Sequence, residues 1–362
     1  MNINLTKCLL FAGVMMTFCL NAQAQAPAAD PAPEVKKDTP LSITGQVDAY
    51  FRSSSAKVGG LTSYTGAHNG FSLGMANIAL SKDMGNISFV ADLMFGPRAE
   101  ETNYNYKTNS LAFLKQLYVS YKPSDKVKFT IGNFMTFVGY ELVEASNNLN
   151  YSMSYNYTNG PFFHTGLKGE FALSENLTLM AGVFEPTDYK SAVFSSGGSL
   201  NVGGQLAYVN GGFKMYLNAL TGKTPLSDTI NLDNKATALD LTASYQITPK
   251  FGLGLNILDK MVTPLKNDKE TSKQTNFVGL AVYANYAVSD KFTLAARGET
   301  FNDSKGVVYA SSPKIKAFTL SGNFKVDALT IIPELRFDSA DQAIFGTKKS
   351  AASYLLAAVY KF

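Results

Sequence analysis

The chain has 362 residues, a formal net charge of +4 from 32 Lys and Arg against 28 Asp and Glu, and no tryptophan beside 19 Tyr and 25 Phe. So mild a charge, with no basic run, excludes a nucleic-acid surface built on electrostatics. Both cysteines, Cys8 and Cys19, fall in the amino-terminal apolar stretch, so the rest of the chain has no disulfide, thiolate metal site or cysteine nucleophile.

Residues 1–24 read as a signal peptide. Lys7 is their only charged side chain, an apolar run covers 8–20, and Ala22-Gln23-Ala24 is a small-x-small cleavage site. The run is too short to span a bilayer as a helix. Bulky Phe18 directly before Cys19 argues against a lipoprotein signal. Residues 25–40 are rich in Ala and Pro without periodicity, which predicts a flexible periplasmic segment.

From residue 41 to 362 one pattern persists: segments of alternating residues divided by polar connections. Ile43, Gly45, Val47, Ala49 and Phe51 oppose Thr44, Gln46, Asp48, Tyr50 and Arg52. Later, Leu329, Ile331, Pro333, Leu335 and Phe337 oppose Thr330, Ile332, Glu334, Arg336 and Asp338. In the last segment Tyr354, Leu356, Ala358, Tyr360 and the terminal Phe362 share one face. Successive side chains of a strand point to opposite sides, so one face can meet hydrocarbon and the other a wetter space.

The connections alternate in length. Tight turns fall near Gly85, Asp125, Glu175, Gly211, Pro249, Asp290 and Asp327, with polar stretches at 53–69, 97–110, 136–160, 187–198, 223–234, 259–274, 303–313 and 339–349 between them. Seven short turns and eight long loops predict an all-β fold: a closed antiparallel transmembrane β-barrel of about sixteen strands, with short periplasmic turns and long extracellular loops. Closure satisfies every backbone amide within the bilayer.

Short stretches are similar to a known family. Ile43-Thr44-Gly45-Gln46-Val47-Asp48-Ala49-Tyr50, Ile131-Gly132-Asn133-Phe134, Gly139-Tyr140-Glu141, Asn147-Asn148, the Tyr-rich 150–157 and Pro161-Phe162-Phe163-His164-Thr165-Gly166 together resemble OmpL-like β-barrel porins of Bacteroidetes-type outer membranes. The resemblance extends over nearly the whole mature chain and implies a porin-like barrel without disclosing its solutes. It also implies, as in porins generally, that the third long loop folds inward and narrows the channel. Glu141 and Glu144 would then be the loop's charges, and Asn147, Asn148 and Tyr151 its neutral pore-facing groups. An outward surface loop touching neighbours or lipopolysaccharide is the alternative.

Charges of both signs lie opposite apolar partners: Asp48, Arg52, Asp92, Lys128, Lys168, Glu170, Lys214, Asp240, Arg297, Glu299, Glu334, Arg336 and Asp338. A lysine or arginine facing lipid at mid-depth costs roughly 2–4 kcal/mol, so these are expected to line the lumen, with His164 beside them. Unpaired charges in a dry interior would cost severely, which favours a wet lumen. Glu334 and Arg336, two apart, are placed to pair. Gly252, Gly254, Gly203 and Gly204 are expected where the wall bends.

His164 near serines raises a hydrolase at the long-loop rim as an alternative, but no G-x-S-x-G setting accompanies it. No cofactor motif, calcium loop or H-E-x-x-H occurs. The expectation is a non-enzymatic outer-membrane channel for small polar solutes or ions, with a sealed structural or adhesive barrel as a further alternative. Its partners would be outer-membrane lipids and lipopolysaccharide, and the barrel-assembly machinery through the strand ending in Phe362. A homotrimer and a monomer both stay open.

Overall fold

The computed structural model describes residues 38–106, 110–191, 199–224, 234–266, 269–271, 273–303 and 305–362. The signal peptide, most of the Ala/Pro-rich segment and parts of the second, fourth, fifth, sixth and seventh long loops lie outside the described residues. No described helix is long and apolar enough to cross a membrane.

Strands form where alternation was read. They are β1 (Ser42–Ser54), β2 (Gly70–Met84), β3 (Ile87–Phe95), β4 (Leu114–Ser124), β5 (Val127–Met135), β6 (Phe163–Ala172), β7 (Leu177–Phe184), β8 (Asn201–Asn210), β9 (Phe213–Thr224), β10 (Asn234–Gln246), β11 (Phe251–Lys266), the two-residue β12 (Lys269–Glu270), β13 (Thr275–Ser289), β14 (Phe292–Asn302), β15 (Lys314–Val326), β16 (Leu329–Ala340) and β17 (Ser350–Lys361). Setting aside β12, which pairs only with the end of β11, sixteen strands form the wall. Neighbours are antiparallel, and β1 pairs with β17, Val47 opposite Tyr360, so the sheet closes on itself. Phe362 completes the seam: its N–H donates to the Gly45 carbonyl at 3.0 Å, and Gly45 donates back at 2.9 Å.

The wall is apolar outside. Leu117, Ile131, Leu335, Tyr354 and Leu356 are exposed, while their strand neighbours Ser120, Thr130, Glu334, Arg336 and Leu355 are buried. Aromatic rings gather near the short-turn rim, with Phe129 against Phe171, Phe213 between Tyr208 and Tyr245, Phe292 stacked on Phe324, and Tyr360 beside Phe362. A second group, Phe51 with Phe71 and Phe95 with Phe113, sits near the other rim. Amphipathic or polarisable rings at two levels mark the boundaries of a hydrocarbon band.

The hydrophobic core lies inside the cylinder rather than between layers. Its clusters join inward wall residues to loop residues: Phe134, Leu258, Phe277 and Phe301 with Val138 and Tyr155, and Ile332, Leu355 and Val359 with Ala145 and Tyr151. The third long loop therefore folds into the barrel as a packed element.

Candidate functional site: the lumen and its inward loop

The loop after β5 is gripped by the inner wall along most of its length. Gly139 N–H donates to Asp240 at 3.1 Å, and Tyr140 stacks on Tyr283 with ring centroids 4.3 Å apart. Glu141 meets Arg297 at 2.6 Å. Ser146 N–H donates to Gln46, the Asn147 side-chain oxygen accepts from Lys361, and Asn323 donates to the Leu149 carbonyl. Beyond, a short helix, Tyr155–Asn159, is capped by Ser154, whose hydroxyl accepts from Tyr157 N–H at 3.1 Å. That hydroxyl replaces a partner missing in the first turn.

The deepest stretch, residues 150–155, is held through its main chain. Glu334 accepts from the N–H groups of Tyr151 at 2.7 Å and Ser152 at 3.1 Å, and from the Ser321 hydroxyl at 2.7 Å. Glu141 accepts from Ser154 N–H, and Glu299 from Tyr155 N–H at 2.8 Å. Arg297 donates to the carbonyls of Ser152 at 2.6 Å and Met153 at 3.2 Å, and Arg336 donates to the Met153 carbonyl at 2.7 Å. Asp338 pairs with Arg336 at 3.0 Å and accepts from the Tyr155 hydroxyl at 3.0 Å.

Several expectations change at this point. Glu334 and Arg336 do not pair with each other: Arg336 takes Asp338, and Glu334 takes the loop backbone. Tyr151 is fully buried, its hydroxyl donating to Asp48 at 2.5 Å, so it is no open pore-facing group. Asn148 turns back on its own loop, donating to the carbonyls of Leu142 and Glu144. The wet lumen holds only in part, because loop groups and neighbouring wall charges satisfy much of the inner charge. Gly254 and Gly203 leave room for side chains of the inward loop. A Cβ on Gly254 would strike the Tyr140 hydroxyl, and one on Gly203 would lie 2.8 Å from the Phe137 ring.

Other wall residues divide into two groups. Asp48 accepts from Met75 N–H, Arg52 donates to the carbonyls of Val58 and Ala67, and Asp92 accepts from Asn77 and Lys115. Asp240 is ringed by Asn218 and Asn256 besides Gly139. Toward the short turns between β4 and β9 the wall stays accessible. Lys128 is 44% exposed and Glu170 30%, 3.3 Å apart, with Lys168 beside Glu170 and Lys214 exposed at the rim. Lys128 and Lys168 face Glu170 there, two cations to one carboxylate. His164 is buried, its Nε2 2.9 Å from the Thr136 hydroxyl and its ring between Phe137 and Phe184. No carboxylate orients it among the described contacts.

The alternation missed four residues that organise the site. Lys115 bridges Asp92 and Glu144. Its odd position matches outward Leu117, but a register shift between β3 and β4 opposite Asp92 and Leu93 re-aims it into the lumen, as bulges do. Arg98 is fully buried between the rings of Tyr64 and Tyr151, at 4.5 and 4.9 Å, and donates to the Val143 carbonyl at 2.9 Å. Asp188 accepts from the N–H groups of Phe162 and Phe163, and burial raises its pKa to about 6. Lys190 donates to Asn103 and to the carbonyls of Leu111 and Leu114, and burial lowers its pKa to about 7 against the opposing pull of Asp188. An Arg after Pro97 and an Asp-x-Lys in a loop carry no local signature of these roles.

Comparison with known proteins agrees with this geometry. The family profile described as "putative beta-barrel porin-2, OmpL-like" matches residues 40–362. No curated protein matches the chain. Among solved structures, the chain is similar to an anion-selective porin from Comamonas acidovorans, at 11% identity over 90% of this chain and 100% of that one, with a TM-score of 0.60. It is similar also to the trimer form of Vibrio cholerae OmpT, at 12% identity over 90% and 99% with a TM-score of 0.58. A third likeness is the Acinetobacter baumannii outer-membrane channel DcaP, at 12% identity over 89% and 97% with a TM-score of 0.55. At such identities the structural likeness speaks for the fold, and the profile for the family. A sixteen-strand cylinder that is apolar outside and charged within, matched by that profile over all its strands, belongs to the OmpL-like β-barrel porin family of the outer membrane.

Proposed function

We propose that this barrel is a passive diffusion channel for small hydrophilic solutes, with the loop at 136–160 as its constriction. The observation that carries this reading is the accessible wall of β5 and β6, where Lys128, Lys168 and Glu170 stay partly exposed beneath a lumen narrowed by the loop. Solutes would enter along this side, and the cation excess would favour anions through the local field of a low-dielectric wall. Rings of Phe134, Phe137 and Phe184 cap that side, so passage would depend on the loop's first residues giving way. A homotrimer in the plane of the membrane is compatible with this use. His164 is buried, held by Thr136 and packed between two phenylalanine rings, which weighs against the hydrolase alternative.

The density of the loop clamp favours a second reading, a sealed barrel. A cavity between the first long loop and the wall, lined by Arg52, Ser152, Glu334 and Arg336, measures ≈ 20 Å³, room for about one water. Purified protein in planar bilayers decides between them. Stepwise ohmic currents support the channel, and silence at every voltage supports the sealed barrel. Reversal potentials under a salt gradient, compared for Glu141→Gln and Arg336→Gln, then report how far the constriction charges set ion preference.

A further inference from the structure

The wall of β14 to β16 treats residues 150–155 as an extended peptide ligand. Its charged groups bind this stretch chiefly through the main chain, while side-chain contacts of Asn150 with Ser321, of Ser152 with Arg297 and Arg336, and of Tyr155 with Asp338 and Phe301 are added by this particular segment. Carboxylates of Glu334 and Glu299 take N–H groups, and the guanidinium groups of Arg297 and Arg336 take carbonyls. Main-chain hydrogen bonding of this kind is how grooves recognise peptides irrespective of sequence. Charged donors and acceptors make each bond stronger than a neutral one. When the loop withdraws, the wall is left with buried charges that need partners, and a solute carrying the same alternation of N–H and C=O can supply them.

We propose that this wall is a binding site for the main chain of short peptides, filled here by the protein's own residues 150–155, and that peptides entering the lumen compete with the loop for it. The proposal rests on the diffusion reading above and names its solute class. Because the loop is tethered, it holds the site against free peptide, and apparent affinity falls by the fraction of time the site is vacant. Such weak, fast exchange suits passage, since a tightly held solute would block the channel.

Full-length protein in liposomes tests this with tri-alanine and sucrose as osmolytes. Swelling with tri-alanine should run roughly threefold or more faster than with sucrose, the low end of what one net hydrogen bond contributes. The double variant Glu334→Gln with Arg336→Gln should bring the two rates together while sucrose still enters. Equal rates in the unmodified protein, a preference for sucrose, or a preference untouched by the substitutions overturns the proposal. Entry of neither solute overturns the diffusion reading itself. A second measurement needs no variant: tri-alanine should speed amide exchange at Tyr151, Ser152 and Tyr155 and sucrose should not. Unchanged or slower exchange with tri-alanine refutes the competition.

Discussion

Asn156 reaches the wall only because residue 279 is glycine. A Cβ on Gly279 of β13 would fall on the Asn156 side-chain oxygen, while the Asn156 amide donates to the Asn256 side chain at 3.0 Å. A single missing methyl thus decides how closely the inward helix seats against β11 and β13.

Gly279→Ala is expected to lift that helix without opening the barrel. Overpacking of this kind costs about 1–3 kcal/mol. Conductance in bilayers should rise and protease should cleave the loop sooner, while the folded barrel keeps its heat-modifiable mobility on gels. An unchanged loop by both measures would show that the wall yields instead.

Arg297 is buried between Glu141 and Glu299, at 2.6 and 2.7 Å. Arg297→Met leaves Glu141 buried without its cation and Glu299 with only the more distant Arg336 at 3.6 Å, and removing one member of such a set costs about 3–5 kcal/mol. The expected result is release of the loop, read as faster amide exchange at Ser154 and Tyr155, whose N–H groups those carboxylates accept. The triple change with Glu141→Gln and Glu299→Gln should recover part of the loss, because the charges then leave together.

The Asp188 and Lys190 latch joins three loops and should respond to pH. Asp188 is raised from 3.8 to about 6, so the folded form holds its proton while the unfolded form has lost it; stability falls as pH rises from about 4 to 6. Lys190 is lowered from 10.5 to about 7, so above pH 7 the folded form has released a proton that the unfolded form keeps, and stability climbs toward pH 10. Lys260 and the Tyr104 hydroxyl both favour the carboxylate and pull the Asp188 pKa down, but burial outweighs them and the net shift stays upward. Protection of the Phe162 and Phe163 amides, corrected for intrinsic exchange, should pass through a minimum near pH 6–7. Flat protection across that range would remove the latch.

Ion preference should follow the open side of the lumen. Replacing Lys128 and Lys168 by Gln leaves Glu170 the remaining charge of that trio, so the reversal potential should move toward cation preference. An unmoved potential would place the ion path elsewhere.

Deleting Phe362 should impair closure. Its backbone makes the last two hydrogen bonds of the seam, and its ring lies over Gly45, where a Cβ would come within 2.7 Å. The fraction of folded, heat-modifiable protein in the outer membrane should drop, whereas Phe362→Tyr should restore it.

The barrel itself was legible in the sequence because its rules are local. A side-chain period of two separates Leu335 from Glu334 whatever lies across the lumen, and Gly85 or Asp327 turns the chain without distant help. The loop's destination was not legible. Tyr151 finds Glu334 across 183 positions, and nothing near either residue announces the other. Lys115 shows the same division at one residue: alternation sends it into lipid, and only the register of its partner strand turns it inward. Sequence alone determined which faces are apolar and how many times the chain crosses the bilayer. The tertiary structure decided which inner charges are neutralised and which stay accessible, because pairing depends on what the closed wall brings within reach.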